Sequence, residues 1–167
     1  MGKKDKIIVL TAFVILIFGI GRYFLSGKQV QKLEESGKKA IGTVEHVDHR
    51  DIIFSYTVGN KRFENEKPVA FVDIEKGERY EVLYLPEDHA ESILVYSEPV
   101  INDGEYDIIE ANKFRELRNG KDIEFKYSYG GKEYQRTQRV GDHVISGKQI
   151  LVNKENPKIA YLKYKEE

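Results

Sequence analysis

The residues in this chain that are best suited to metal chemistry are two histidines and an aspartate close together. His46, Asp48 and His49 lie in the segment Glu45-His-Val-Asp-His-Arg-Asp51, and imidazole and carboxylate groups both bind zinc. Residues three apart on a strand point to opposite faces, so His46 and His49 converge only if a turn bends them together. We therefore interpret the segment as a solvated strand end, and no metal site or cofactor is predicted.

Catalytic patterns are equally weak. Ser55 and Ser128 have no obvious base beside them, and His89 and His143 follow turn residues, which predicts that both histidines lie in surface loops. The sequence has no Gly-x-Ser-x-Gly, phosphate-loop or dinucleotide motif, and it has no cysteine for a thiolate site or a disulfide. A carboxylate pair acting on glycosides is a further possibility, but most of the many carboxylates in this chain are expected to be solvated. No catalytic residue is therefore assigned, and the chain is predicted not to be an enzyme. The carboxylates considered are Glu64, Glu66, Asp73, Glu75, Glu87 and Asp88.

Basic side chains on two predicted hairpins raise the question of nucleic-acid binding. Glutamates interrupt the basic positions, and lysines beside a turn also protect sheet edges from aggregation. The chain has 27 Lys and Arg against 28 Asp and Glu, so its overall field favours neither nucleic acid nor an acidic ligand. No nucleic-acid partner is predicted. The basic residues concerned are Lys61, Arg62, Lys132, Arg136 and Arg139.

These hairpins belong to a segment that occurs twice. Ile52-Ile-Phe-Ser-Tyr-Thr-Val-Gly-Asn-Lys-Arg-Phe-Glu64 returns about 70 residues later as Ile123-Glu-Phe-Lys-Tyr-Ser-Tyr-Gly-Gly-Lys-Glu-Tyr-Gln135. A repeat of this length indicates one supersecondary unit that was built twice. The sequence therefore predicts an internal duplication.

Both copies alternate as half-buried strands do. Gly59-Asn60 and Gly130-Gly131 are two-residue hairpin turns, which pair Tyr56 with Phe63 and Tyr127 with Tyr134. These four rings could form a ligand platform, but their spacing favours core packing, where each pair contributes about 0.5–1 kcal/mol.

Further strands are predicted on either side of the hairpins. The segment 105–117 could be helical, but the turn Asn119-Gly120 favours a strand for its second half and pairs Phe114 with Phe125. The other predicted strands are 40–47, 80–85, 92–96, 149–153 and 160–164.

The N-terminus reads as a membrane segment. Ile7 to Leu25 carries no charge apart from Arg22, and a spanning helix needs about 20 apolar residues. Lys3, Lys4 and Lys6 precede this run and favour a cytoplasmic N-terminus. Residues 1–25 are therefore predicted to be a transmembrane helix.

A cleaved signal peptide is the alternative for this segment. Gly19 and Gly21 have the spacing of a cleavage site, but Arg22 and the continuing apolar run argue against cleavage. Residues 26–39 are interpreted as a spacer.

The strand motifs resemble a bacterial family, domain of unknown function 3592. The first copy carries Gly42-Thr43-Val44, Phe54-x-Tyr56-x-x-Gly59 and Val82-x-Tyr84-x-Pro86. The second copy carries Phe125-x-Tyr127-x-x-Gly130 and Asn156-Pro157 with Ala160-Tyr-Leu162, and it lacks the Gly-Thr-Val opening. The resemblance covers most of residues 40–164. It implies a compact β module beside a transmembrane helix and implies no activity.

The sequence as a whole predicts a mainly β fold. An N-terminal transmembrane helix is followed by two tandem antiparallel β modules, 40–101 and 102–167, which pack as small barrels or as a sandwich. The predicted function is a membrane-anchored, non-catalytic module that binds a protein or envelope component through strand edges or loops. The predicted location is the bacterial cell membrane, with a single span and the C-terminal modules outside the cytoplasm. The alternatives are a cell-envelope enzyme with carboxylate or histidine chemistry and an immunity or accessory subunit of a membrane complex.

Overall fold

The first group of strands is a five-stranded antiparallel sheet preceded by a short helix. The computed structural model describes residues 29–49, 51–69, 72–118 and 120–165 of the chain, and helix α1 spans 29–36. The strands are β1 (Lys38–Val47), β2 (Asp51–Val58), β3 (Lys61–Pro68), β4 (Arg79–Leu85) and β5 (Asp88–Pro99). Their order in the sheet is β3-β2-β1-β4-β5.

Strand β1 curls the sheet because it changes partners along its length. Its first half pairs with β4 and its second half with β2, and Gly42 takes part in both ladders. A Cβ atom at Gly42 would lie 2.5 Å from Cγ2 of Val82. The bend therefore brings backbone and side chain so close together that only glycine fits.

The second group repeats this strand order in two shorter sheets. The strands are β6 (Tyr106–Glu110), β7 (Lys113–Leu117), β8 (Asp122–Tyr129), β9 (Lys132–Arg139), β10 (Ile145–Asn153) and β11 (Ala160–Tyr164). They form the sheets β11-β10-β6 and β7-β8-β9. Strands β6 and β7 are separated only by 111–112, where the Ala111 N–H donates to the Lys148 carbonyl and the Asn112 N–H donates to the Lys126 carbonyl. Together β6 and β7 take the place that β1 has in the first group.

The predicted hairpins are confirmed in register. Tyr56 pairs with Phe63, and Tyr127 pairs with Tyr134. The ring centroids of these pairs lie 5.6 Å and 5.4 Å apart. The predicted pairing of Phe114 with Phe125 is also confirmed, and Tyr56 and Tyr127 are buried, as core packing requires.

The predicted fold class is correct in its mainly β content, but the architecture that it describes is wrong. The segment 105–117 contains two strands, so the helical alternative for its first half is wrong. The predicted span 1–25 lies outside the described residues, and the described part of the chain holds no helix that is long and apolar enough to cross a membrane. The short α1 carries Lys32, Glu34 and Glu35. The structure is instead a curled antiparallel sheet with repeated strand groups.

The two strand groups share their interior. Ile159 and Tyr161 belong to the second group in sequence but pack in the core of the first group, beside residues such as Val82. Their neighbours Ala160 and Leu162 pack in the other core. Strand β11 is therefore buried on both faces, which explains its continuous apolar run.

The hydroxyls of two buried tyrosines tie each hairpin to a later segment of its own strand group. The Tyr56 hydroxyl donates to the His89 carbonyl at 2.7 Å, and the Tyr127 hydroxyl donates to the Pro157 carbonyl at 2.6 Å. Burial raises the pKa of Tyr127 from 10.0 to about 12. The folded protein therefore holds this proton more tightly than the unfolded chain does.

This tyrosine predicts a loss of stability at alkaline pH. The stabilisation is complete below about pH 10 and is lost as the pH rises through about 12, because a raised pKa favours the protonated folded state. Two pKa units correspond to about 2–3 kcal/mol. Urea denaturation should show that, between about pH 10 and pH 12, the free energy of unfolding falls by about 2–3 kcal/mol more in wild type than in Tyr127→Phe. Parallel pH curves for the two proteins would contradict the assignment.

Candidate functional site: a polar groove between the strand groups

The histidines that sequence analysis considered do not converge. His46 and His49 are both exposed, although a β-bulge between Val44 and His46 breaks the simple alternation of β1. Within residues 29–49, 51–69, 72–118 and 120–165, no group of three or more His, Asp or Glu side chains could hold a metal ion.

The prediction that His89 lies in a surface loop is wrong. His89 is half-buried on β5, and its ring stacks between Phe63 and Tyr84 at centroid distances of 4.2 Å and 5.2 Å. Tyr84 lies on the neighbouring strand β4, but Phe63 lies on β3 at the opposite edge of the sheet, a contact that local sequence does not show. The ring fills a structural gap between β3 and β4.

His143 does lie in a loop, and it links the two strand groups. Its ring stacks on Tyr164 at 4.3 Å, and its Nε2 lies 2.6 Å from Oε1 of Glu98 on β5. The Tyr164 hydroxyl donates to the Ser97 carbonyl at 3.0 Å. This contact is a joint between the two strand groups.

Both serines have carboxylate neighbours on the adjacent strand, Ser55 at a buried position and Ser128 at an exposed one. Ser55 Oγ donates to Glu45 Oε1 at 2.6 Å, and the same carboxylate binds Arg62 at 2.7 Å. Ser128 Oγ donates to Glu133. Both contacts join neighbouring strands, β1 with β2 and β8 with β9.

The carboxylates considered as acid–base pairs have separate roles. Asp73 accepts a hydrogen bond from the Thr137 N–H at 2.5 Å. Glu75 lies 3.7 Å from Lys158 Nζ, and Glu87 lies 2.9 Å from Lys32 Nζ. Asp88 Oδ1 accepts from the Ala90 N–H at 3.1 Å. Glu64 and Glu66 lie along β3.

Arg136, grouped with the exposed hairpin cations in sequence analysis, is buried. It is 2% exposed, and so is Glu78, with which it forms an ion pair across the two strand groups. Its Nη1 also donates to the Lys158 carbonyl at 2.7 Å, and its guanidinium lies 5.3 Å from the centre of the Tyr161 ring. Arg136 is therefore not available to nucleic acid.

The carboxylate of this buried pair is held by further donors. Tyr80 donates its hydroxyl hydrogen to Glu78 Oε2 at 2.9 Å, and the Glu75 N–H donates to the same oxygen at 3.1 Å. Burial raises the pKa of Glu78, while the positive charge of Arg136 opposes that shift. We call Arg136 and Glu78 the buried pair.

One sequence signal could have found the inward position of Arg136. Tyr134 was placed on the inner face of its strand, and counting by two from Tyr134 puts Arg136 on the same face. The partner Glu78 had no such signal, because it lies 58 residues away in sequence and outside any strand.

A polar groove opens where the two groups meet. Three segments, 76–79, 102–105 and 153–156, line this groove together with Ile159, and its volume is about 490 Å³. Two of its lining residues, Arg79 and Ile159, directly follow Glu78 and Lys158, which hold Arg136. The buried pair therefore fixes the two sides of the groove relative to each other.

Hydrogen bonds order the charged side chains along the groove. Arg79 Nη1 donates to Asn102 Oδ1 at 3.0 Å, and Asn102 Nδ2 donates to Glu105 Oε1 at 2.7 Å. Lys154 Nζ donates to the Gly104 carbonyl at 2.8 Å. The groove therefore presents both positively and negatively charged side chains, several of them held in place by hydrogen bonds.

A smaller apolar groove lies between α1 and the first sheet. Its volume is about 280 Å³, and Val30, Leu33, Pro68, Leu94 and Tyr96 contribute to its lining. This groove is formed by the first strand group alone. The polar groove is larger and depends on both groups.

Comparisons with family models, curated proteins and solved structures found no match for this chain. The resemblance to domain of unknown function 3592 therefore stays a prediction.

Proposed function

We propose that this chain is a non-catalytic binding module that holds a segment of a protein partner in the polar groove. The observation that carries this proposal is that both strand groups line the groove and that the buried pair connects them at Glu78, next in sequence to the lining residue Arg79. A second link, from His143 to Glu98, joins the groups elsewhere. Two linked walls give a pre-organised site, which lowers the entropy cost of binding.

The size and chemistry of the groove support a polar peptide segment. Its volume of about 490 Å³ lies within the range of roughly 300–1,000 Å³ that ligand sites occupy. Ile159 is its one large apolar side chain, whereas sites for small apolar ligands are mainly apolar. Backbone and amide groups from three segments suit the regularly spaced polar groups of an extended chain.

Membrane attachment and an extracytoplasmic location stay predictions from the sequence. The residues on which they rest, 7–25, lie outside those that the structure describes. The binding proposal does not depend on them, because every residue that lines the groove is described.

Site-specific crosslinking of the full chain in its native cells tests the proposal. A photoreactive amino acid would replace Lys76 or Glu155 at the groove, with Lys132 as the matched control. Lys132 is also an exposed lysine beside a glycine turn, but it lies outside the groove. We expect both groove positions to crosslink to the same protein and the control position to give no crosslink. The purified partner should then reduce chemical labelling of the groove residues in solution.

Crosslinks of equal strength from Lys132 would contradict the proposal, and so would different proteins at the two groove positions. Absence of any crosslink at a groove position, with normal protein levels, would also overturn it. Fractionation of the same cells would show whether the complex lies at the membrane.

A further inference from the structure

We infer that the polar groove recognises a carboxylate on the partner segment, which binds to the guanidinium of Arg79 with Lys76 nearby. This inference rests on the proposed function and names the chemistry of its ligand. It begins with the pairing of arginines in the fold. Five of the six arginines in the described ranges lie within 4.0 Å of a carboxylate, and Arg79 is the exception: the five are Arg62, Arg115, Arg118, Arg136 and Arg139.

Arg79 is half-buried at the groove and keeps most of its hydrogen-bonding capacity. A guanidinium has five N–H donors, and Arg79 donates one hydrogen bond, to Asn102. A partly desolvated guanidinium gains most from a planar carboxylate, which can accept two parallel hydrogen bonds. The fold supplies this partner to the other five described arginines and leaves the place open at the groove.

Asn102 is a positioning residue that keeps Arg79 available. Its amide lies between Arg79 and Glu105, accepting from the first and donating to the second. Glu105 is the carboxylate at the end of this chain of hydrogen bonds. Among the described residues it forms no salt bridge with Arg79, so its carboxylate lies more than 4.0 Å from the guanidinium. The amide thus orients Arg79 without neutralising it.

The charges around the groove favour a single carboxylate over phosphate or nucleic acid. Lys76, Arg79 and Lys154 line it as cations and Glu105 and Glu155 as anions, and Lys154 Nζ already lies 3.6 Å from the carboxylate of Asp107. One negative charge can lie at Arg79 and Lys76, whereas a phosphate dianion or a polyanion would meet more repulsion from the three carboxylates. The two glutamates also offer places for a basic residue beside the bound carboxylate.

The test uses the full chain and two blocked pentapeptides that differ only in a central Glu or Gln. We expect chemical-shift perturbation to map the Glu peptide to Gly77 and Gly104, with affinity about 10- to 100-fold higher than for the Gln peptide, as for one charge-assisted contact. Arg79→Gln should lose this preference, and Arg79→Lys should retain part of it. Arg62→Gln is the matched control, and it should leave binding unchanged.

Asn102→Asp gives the sharpest result, because it places a carboxylate of the protein itself beside Arg79. We expect this variant to keep its fold and its cations and to lose the preference for Glu over Gln. Equal binding of the two peptides by wild type would overturn the inference. An undiminished preference of Asn102→Asp for the Glu peptide would also overturn it, and so would binding of inorganic phosphate by wild type that is tighter than binding of the Glu peptide. Groove crosslinks to a protein would still support the proposed function in those cases. Loss of the crosslinks together with intact peptide preference would instead sink the proposed function alone.

Discussion

Replacing Arg136 by methionine is expected to lower the free energy of unfolding by about 3–5 kcal/mol, because it leaves a buried carboxylate without its countercharge. Glu78 is 2% exposed and would retain only the neutral donors of Tyr80 and the Glu75 backbone. Urea denaturation at neutral pH measures the loss. Arg62→Met is the matched control, since the Arg62 side chain is 61% exposed in its pair with Glu45, and it should cost less than about 1 kcal/mol.

The double variant Arg136→Met, Glu78→Leu should recover much of the lost stability, since two apolar residues leave no buried charge. Acid should also narrow the gap between Arg136→Met and wild type. Burial already raises the pKa of Glu78 and Arg136 lowers it, so without Arg136 the carboxyl takes up a proton at a higher pH and becomes neutral in the folded state. A loss below about 1 kcal/mol for Arg136→Met would show that the pair contributes no more than an exposed one.

The hairpins could be predicted because their information is local. Alternation of apolar residues over 52–58 and a glycine at each turn fix both the register and the inward face. The same rule pairs Phe114 with Phe125, and the structure confirms this pairing. Within a hairpin, the residues that determine the structure are the residues that form it.

The interior shared by the two groups could not be predicted in this way. Tyr161 and Ile159 belong to the second copy by sequence, yet they complete the core of the first group, and no periodicity within β11 reveals which core receives a side chain. The charge of Arg136 predicts an exposed side chain, whereas its position in β9 predicts an inward one. Its partner Glu78 lies in a turn of the other group, so the sequence around Arg136 does not indicate the pair. Burying an arginine is favourable only with that partner in place, and sequence alone did not supply it.

The candidate groove shows the same limit. The turns at 76–77, 102–104 and 155–157 could each be recognised from glycine, asparagine and proline. Their meeting at one groove is a consequence of tertiary packing. Arg79 differs from the other described arginines only in what lies around it, so its availability is a property of the fold rather than of a motif.

Replacing Tyr161 by alanine is expected to be the most damaging change to the shared core. The ring is fully buried, it lies edge-on to Tyr80 at 6.3 Å, and it packs against Tyr106 at 5.9 Å. Removing a buried aromatic ring costs about 3–5 kcal/mol. Here it also removes the surface on which the Arg136 guanidinium rests, so Tyr161→Ala and Arg136→Met should be strongly non-additive.

Tyr161→Phe is the matched control for this prediction. The Tyr161 hydroxyl is buried and forms no well-shaped hydrogen bond to the described part of the chain, so its removal should cost less than about 1 kcal/mol. Denaturation of both variants, followed by tyrosine fluorescence and by circular dichroism, measures the two effects. The probes should report one coincident transition, because a residue of the second group completes the core of the first. Two separate transitions in wild type would show that the groups unfold independently. Equal losses of stability for Tyr161→Phe and Tyr161→Ala would show that the ring itself contributes little.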